Sequence, residues 1–362
     1  MEAPVLATTK PYPLMFAPLT LEKVWGGRRL ARLGKPLPNP AAAYGECWEI
    51  ADLAATSASG AGGSAMRSTV AAGPLAGKSI AEASAAMACD WPGAFPLLIK
   101  YLDAAQNLSV QVHPAPHHAQ RHPDAHLKTE SWYIVEADPG ASLYIGLKPG
   151  ITRERFAAAL RAPAPAGAMH PAVNLLERIE AVPGRCYTLP SGIIHALGAG
   201  VLIAEVQTPS DTPYRLYDWG RDGREMHLEH GLASGFLPDG SPAVAAAQVS
   251  GPVEPGTLCA RLAETPYYTI DEVRPQDGDE LTVGFPCRCA GKHSPHTEQG
   301  LVLMVIAGRG ELAAAEGSFA PVPLAPGATV LVPHAGGCAR EAVLRSASGL
   351  RVLRIGFPGS AA

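Results

Sequence analysis

The chain has 362 residues, enough for a large core and, at ordinary domain sizes, for two domains. Its net charge of −4, with lysine and arginine scattered, gives neither a basic footprint for nucleic acid nor a cationic face for a membrane surface. No apolar run reaches the ~18 residues of a membrane helix, residues 1–18 lack the pattern of a secretory signal, and seven cysteines without framework spacing suit a reducing compartment, so a cytoplasmic protein is expected.

Glycine (38) and proline (35) punctuate short runs of Val, Ile, Leu and Tyr, which is the pattern of many short strands joined by turns, and so of a sandwich or barrel. Residues 45–51 read as a strand, and 54–65, rich in Ser, Gly and Ala, as a surface connection. Gly77, Lys78 and Ser79 would end a phosphate-binding loop, but that motif needs glycine at position 72, which is Ala72. Residues 79–87 read as a capped helix. Residues 95–102 form a strand with Lys100 near its end, and a turn over 103–107 is expected to fold it into a hairpin with residues 108–114.

That last segment, Leu-Ser-Val-Gln-Val-His-Pro, alternates polar and apolar side chains. Successive residues of a strand face opposite ways, so Ser109, Gln111 and His113 share one face, and Pro114 ends the strand. His118, His122 and His126 follow at a spacing that would align them on a helix, read as a solvated polar face with adventitious metal binding as the alternative. Glu130 opens a strand through Val135, with 142–147 as its expected partner. Thr152 caps a helix reaching Leu160, and residues 171–179 read as another short helix.

Gly184, Pro190, Gly192 and His195 fit G-x5-P-x-G-x2-H, a pattern similar to the second signature of cupin β-barrels: a strand, a Pro/Gly turn, and a strand whose first histidine points inward. Where that signature usually has asparagine, this chain has Ala199. Gly327 to Pro333 repeats G-x5-P, but Ala335 and Cys338 stand where the glycine and histidine would be. The expected fold class is therefore mainly β, with two cupin-type jelly-roll barrels and a few short helices on the N-terminal half. Residues 1–238 are the expected catalytic domain. Residues 239–362 are the expected degenerate second barrel, without metal, covering the first barrel's edge and part of its mouth. Cys287, Cys289, His293 and His296 have a loose zinc-like spacing, read mainly as a turn between strands.

Gln111, His113, Glu130 and His195 make a candidate metal set. Two imidazoles and a carboxylate suit a catalytic Zn²⁺ with an open position, and the Gln111 amide oxygen could add a contact. Alone, any one of these histidines reads first as a hydrogen-bonded core residue; the same-face Gln111 and His113 together with the Gly184–His195 pattern favour the metal set. Lys100 and Arg215 read equally well as surface ion pairs.

At these residues the chain resembles the type I mannose-6-phosphate isomerases, zinc-dependent enzymes of the cupin class. The matching segments are PLLIKYLDA (96–104), LSVQVHP (108–114), KTESWYIVEA (128–137), LPSGIIHALGAG (189–200) and EVQTPSDTPYRLYDWGR (205–221), with GGRRL and GECWEIAD nearer the start. The resemblance is dense from residue 14 to about 235 and holds only in outline beyond.

It implies interconversion of mannose 6-phosphate and fructose 6-phosphate through a cis-enediol(ate), one zinc ion per chain held by Gln111, His113, Glu130 and His195, and a small phosphosugar as partner. Arg215 matches a catalytic arginine. Lys128, Lys100 and Ser109 match polar pocket positions, and Glu46 and Glu205 acidic ones. The family's large helical insertion is missing, as in shorter bacterial forms. A monomer or weak homodimer is expected.

The chemistry needs a base for a carbon-bound proton and positive charge near the developing oxyanion. Lys128 with a lowered pKa, a histidine, a pocket carboxylate or a water could serve as the base, and Arg215 could stabilise the oxyanion or grip phosphate. Two other readings compete: a non-catalytic sugar-phosphate-binding or regulatory cupin, and an iron-dependent cupin oxygenase. The latter typically has a histidine where this chain has Gln111.

Overall fold

The computed structural model describes residues 9–56, 63–89, 94–122, 125–164, 168–210, 213–284, 298–334 and 342–358. The candidate cluster Cys287, Cys289, His293 and His296, and the expected positions Ala335 and Cys338, lie outside the described residues.

The architecture is mainly β and antiparallel. Three large sheets are stacked, with the middle one covered on both sides. The middle sheet has seven strands in the order Gln248–Ser250, Cys186–Leu189, Glu130–Ala137, Val201–Gln207, Leu98–Ala104, Leu19–Gly27 and Tyr44–Ile50. Its central strands Leu98–Ala104 and Val201–Gln207 are buried along their whole length, because their side chains meet protein on either face.

On one face, Leu102, Trp132, Ile134, Tyr187 and Ile203 pack against Leu143, Ile145, Ile193 and Leu197. Of these, Leu143, Ile145 and Leu197 belong to a five-stranded sheet ordered Leu176–Glu180, Ser142–Leu147, His195–Leu197, Val110–Val112 and Tyr214–Tyr217. On the other face, Ile99, Tyr101, Tyr133, Leu202 and Ala204 pack against Ile270, Val302, Met304, Leu353 and Ile355 of an eight-stranded sheet.

That eight-stranded sheet contains two 17-residue strands, Glu298–Ala314 and Ala342–Pro358. It keeps a second core of its own around Leu301, Leu303, Val305, Val330 and Val352. The first described strand, Leu14–Met15, pairs with Thr329–Pro333, so residues 14–15 close an edge of the C-terminal sheet. The expectation that the C-terminal half covers part of the mouth is corrected here. It packs on the back face of the middle sheet, and no described residue beyond Arg224 lines the pocket.

Two expected hairpins are corners instead. Leu98–Ala104 does not pair with Val110–Val112, because its edges are taken by Val201–Gln207 on one side and the strands of residues 19–50 on the other. Glu130–Ala137 does not pair with Ser142–Leu147, because Cys186–Leu189 and Val201–Gln207 flank it. In both places the short connection carries the chain from the middle sheet to the five-stranded one. The helix expected over 171–179 is a 3₁₀ turn, Val173–Leu175, followed by the strand Leu176–Glu180. That strand lies at the edge of its sheet with alternate residues exposed, so alternation outweighs the helix-compatible composition.

The expected helices at 79–87 and 152–160 are present as Ile80–Met87 and Arg153–Arg161. Ser79 and Glu82 exchange side-chain and backbone hydrogen bonds in a capping box, and the Thr152 hydroxyl accepts from the Arg155 amide. No helix among the described residues is long and apolar enough to cross a membrane.

The turn into the five-stranded sheet is tightly packed. A Cβ on Gly198 would fall 1.9 Å from the backbone oxygen of Ser142. Gly198→Ala is therefore expected to cost about 1–3 kcal/mol by forcing two strands apart. Urea unfolding followed by tryptophan fluorescence measures it, and an unchanged midpoint would mean that the strands separate freely.

Candidate metal centre

Register across the two facing sheets builds the site. In the five-stranded sheet Gln111 pairs with His195 on one side and with Arg215 on the other, so His195, Gln111 and Arg215 form one row. Ser109 and His113 lie two residues either way from Gln111, at the strand's ends, and both are buried. In the middle sheet Trp48 pairs with Lys100, Lys100 with Glu205, and Glu205 with Trp132. Cross-strand partners share a face, so these four side chains form a second row opposite the first. Glu130 precedes Trp132 by two residues and points the same way.

The turn after the strand Cys186–Leu189 delivers His195. Gly192 adopts φ +99°, a left-handed backbone that glycine takes without strain. His195 then opens its strand, buried to 1% exposure, with Nδ1 2.9 Å from the Ile193 carbonyl oxygen. That carbonyl can only accept, so Nδ1 carries the proton and Nε2 presents a lone pair.

Nε2 of His195 lies 3.1 Å from Glu130 Oε1, and Nε2 of His113 lies 3.7 Å from Glu130 Oε2. The nearest ligating atoms of His113, Glu130 and His195 all fall within 4.8 Å of one another, and all three residues are buried. The Lys128 amino group sits 2.5 Å from Glu130 Oε2 and 3.3 Å from His113 Nε2. Its backbone amide is fixed by donation to Ser191 Oγ, 2.7 Å away.

The Gln111 amide nitrogen is 3.3 Å from His195 Nε2, while Ser109 Oγ donates to Gln111 Oε1 at 3.3 Å. The indole edge of Trp132 closes on His195, with ring centroids 5.3 Å apart.

Electrostatics separate these groups. Burial pushes His113 down to about 4, and the nearby Lys128 adds to that, against the pull of Glu130. Burial also lowers His195, so both rings are neutral at pH 7. Glu130 is held well below the usual carboxylate range: burial opposes its charge, but the adjacent Lys128 ammonium outweighs burial. Two neutral imidazoles thus aim lone pairs at an ionised carboxylate. Such a donor set repels itself unless a cation occupies its centre, and its composition suits zinc.

Further along the pocket, Lys100 lies between Glu46 (3.4 Å) and Glu205 (3.5 Å) and over the Trp48 ring (4.8 Å). Lys23 also reaches Glu46, and the Trp48 indole donates to it at 2.7 Å. Burial opposes the Glu46 charge, but Lys100 and Lys23 hold its carboxyl far below the ordinary range. Glu205 moves the other way. Burial raises it, and the neighbouring Glu130 and Glu46 outweigh part of the pull of Lys128 and Lys100, while the Trp132 indole donates to it at 2.9 Å.

Arg215 is 1% exposed. Its guanidinium donates to the Glu225 carbonyl at 2.6 Å, and its Nε has no hydrogen-bond partner among the described residues.

All ten side chains singled out from the sequence therefore meet in or beside one pocket: Glu46, Lys100, Ser109, Gln111, His113, Lys128, Glu205 and Arg215 line it, and Glu130 and His195 cluster with His113 at its edge. Neither Lys100 nor Arg215 is a surface ion pair. The sequence reading passed over Lys23, Trp48, Trp132 and Arg224, which also line the pocket. Asp218, buried, holds Arg224 at 3.0 Å and Arg221 at 2.6 Å. The spacing of Asp218, Arg221 and Arg224 was the available signal. Of the histidine-rich segment, His118 and His122 do meet, but their third partner is His230 and not His126.

Comparison with known proteins places the fold among known enzymes. Residues 15–143 match the family model for the phosphomannose isomerase type I catalytic domain. A probable mannose-6-phosphate isomerase of Bacillus subtilis, GmuF, is 36% identical over 242 residues, covering 63% of this chain and 69% of that relative. A mannose-6-phosphate isomerase of Streptococcus mutans is 33% identical over 267 residues, covering 71% and 77%.

The crystal structure of a Bacillus subtilis mannose 6-phosphate isomerase superimposes with TM-score 0.71 at 26% identity, covering 95% of this chain and 99% of that one. A mannose 6-phosphate isomerase bound with zinc and yttrium shares the fold, with TM-score 0.66 at 16% identity over 96% and 99% of the two chains.

Behind the metal cluster, Ser234 Oγ accepts from the Ala115 amide (2.7 Å) and donates to the His113 carbonyl (3.0 Å). Ser234→Ala would leave both buried groups unpaired, at a cost of about 1–3 kcal/mol. Thermal unfolding of the variant should register that loss, and a stability equal to wild type would show that His113 is held by other contacts.

Proposed function

This chain belongs to the type I phosphomannose isomerase family, and from that premise we propose that its pocket interconverts mannose 6-phosphate and fructose 6-phosphate through an enediolate at a zinc site. The observation that carries the site assignment is the convergence of His113, Glu130 and His195, whose lone pairs face one another in a buried cluster. His113, Glu130 and His195 would hold one catalytic zinc ion per chain. Turning the Gln111 amide over would aim its oxygen at the same centre in place of its nitrogen. Zinc bound there would act as a Lewis acid toward the sugar's C1 and C2 oxygens.

The remaining steps fall to the chain's own side chains. A base removes the C2 proton of the open-chain aldose as O1 gains a proton; O2 then gives up its proton and the carbon-bound proton is delivered to C1, leaving the carbonyl at C2 and a hydroxyl at C1. Of the three pocket carboxyls, Glu46 and Glu130 are held ionised, whereas Glu205 is raised. Glu205 therefore has the greatest proton affinity of the three and is the carboxyl suited to hold a proton during the transfer. Lys128, between Glu130 and His113, places a second group with exchangeable protons beside the reacting carbons.

Arg215 brings an unpaired buried N–H into the same pocket, a donor suited to the enediolate oxygen. Arg224 and Ser109 line the pocket as well and would receive the phosphate. Lys100, already flanked by two carboxylates, orients Glu46 and Glu205 and would add a weaker contact to substrate.

The stacked sheets support a reading of two cupin-type barrels, with the division near residue 238 and a degenerate second barrel beyond it. A cytoplasmic location and a monomer or weak homodimer complete the proposal.

Chelation is expected to abolish mannose-6-phosphate isomerase activity, and added Zn²⁺ to restore it. Full turnover by exhaustively demetallated protein would sink the zinc site. Arg215→Lys is expected to reduce kcat far more than it alters KM, because the forked donor geometry is lost. Wild-type kcat in that variant would remove Arg215 from the chemistry.

A further inference from the structure

We propose that His118, His122 and His230 form a second cation site, for a divalent transition metal of borderline softness such as Zn²⁺, which joins the segment after His113 to the helix Leu228–Gly235. It is separate from the pocket, none of whose lining residues it shares.

One ring nitrogen from each of the three histidines lies within 4.8 Å of the others'. The His118 and His122 rings stack with centroids 4.2 Å apart, and His230 stands edge-on to both at 5.8 and 5.6 Å. His118 is 3% exposed, and its buried Nε2 has no hydrogen-bond partner among the described residues. An unpaired ring nitrogen in a buried position is costly unless something ligates it. Burial, with the neighbouring imidazoles, also lowers His118 to about 4, leaving the ring neutral at physiological pH.

His122 and His230 are exposed, so a cation could enter from solvent, and three imidazoles leave a fourth position for water. Nitrogen-only ligation favours Zn²⁺, Ni²⁺, Cu²⁺ or Co²⁺ over Ca²⁺ or Mg²⁺.

The mechanical setting is equally specific. The segment that carries His118 and His122 begins directly after His113 and contacts the helix elsewhere too: His117 Nε2 lies 2.9 Å from the Ala233 carbonyl oxygen, and Ser234 bridges Ala115 and His113. The helix in turn follows His227, whose amide donates to the Arg215 carbonyl at 2.8 Å. Tyr214, next to Arg215, stacks on His230 with centroids 5.4 Å apart. A cation here would tie together the two segments that hold His113 and Arg215, without touching the pocket.

Metal content decides it. The full-length protein, its His122→Ala/His230→Ala variant and its Glu130→Gln variant are each saturated with Zn²⁺, dialysed, and assayed by elemental analysis. Visible spectra of Co²⁺-loaded samples accompany the assay. One equivalent should be lost in the double histidine variant and retained in Glu130→Gln, with a matching loss of Co²⁺ absorption. Because Glu130 belongs to the other centre, failure of the catalytic zinc reading would change only the Glu130-dependent equivalent. Metal content and spectrum unchanged by the double substitution would overturn the proposal. His230→Asn provides the same reading with a smaller perturbation should the double variant fold poorly.

Discussion

A single carboxylate constrains the N-terminal half. Glu130 is 1% exposed, and an ionised carboxylate removed from water costs several kcal/mol unless nearby groups compensate. Here the compensating charge is the Lys128 ammonium, on the loop that precedes the strand, and the two imidazoles converge on the same carboxylate as candidate ligands for a cation. Lys128 approaches one oxygen, His113 faces that same oxygen from the five-stranded sheet, and His195 faces the other. Neither oxygen has a hydrogen bond of good geometry among the described residues, so charge and not bonding geometry holds the group. The two sheets must therefore meet at one spacing and one register, because a one-residue slip would turn Glu130 or its partners to the opposite face.

That register was readable in part. The alternation through residues 108–114 and the turn pattern from Gly184 to His195 placed side chains on faces, because strand periodicity is a local property. Pairing is not local. Asp103 to Asn107 and Asp138 to Gly140 look like hairpin turns, yet both are corners that move the chain between sheets. What decides between hairpin and corner is whether the preceding strand still has a free edge. Strands arriving a hundred residues later, notably Val201–Gln207, occupy those edges.

The same limit explains the histidine-rich segment. Spacing suggested His118, His122 and His126 along one helix, but that helix ends at Ala119 and the third ring comes from His230 on a distant helix. Trp48 and Trp132 escaped notice for a related reason. Aromatic residues on strands are ordinary core material, and only their cross-strand alignment with Lys100 and Glu205 brings them to the pocket.

The C-terminal sheet acquires a role from the same geometry. A strand that carries Glu130, Trp132 and Ile134 forward carries Ser131 and Tyr133 backward. The Ser131 hydroxyl lies 3.0 Å from the Tyr268 hydroxyl, and Tyr133 donates to Glu272 at 3.1 Å. On the neighbouring strand Leu98–Ala104, Lys100 faces the pocket while the Tyr101 hydroxyl donates to the Val305 carbonyl at 3.4 Å. Ser131, Tyr133 and Tyr101 are thus tied to the C-terminal half, while Glu130, Trp132 and Lys100, their neighbours along the strands, face the site. Polar contacts buried among apolar side chains specify position more sharply than apolar packing alone, since each fits only one register. The C-terminal sheet contributes no described side chain to the pocket, yet it fixes the strands that do. A pocket in which lone pairs and charges must face one another within a few ångströms needs that kind of backing.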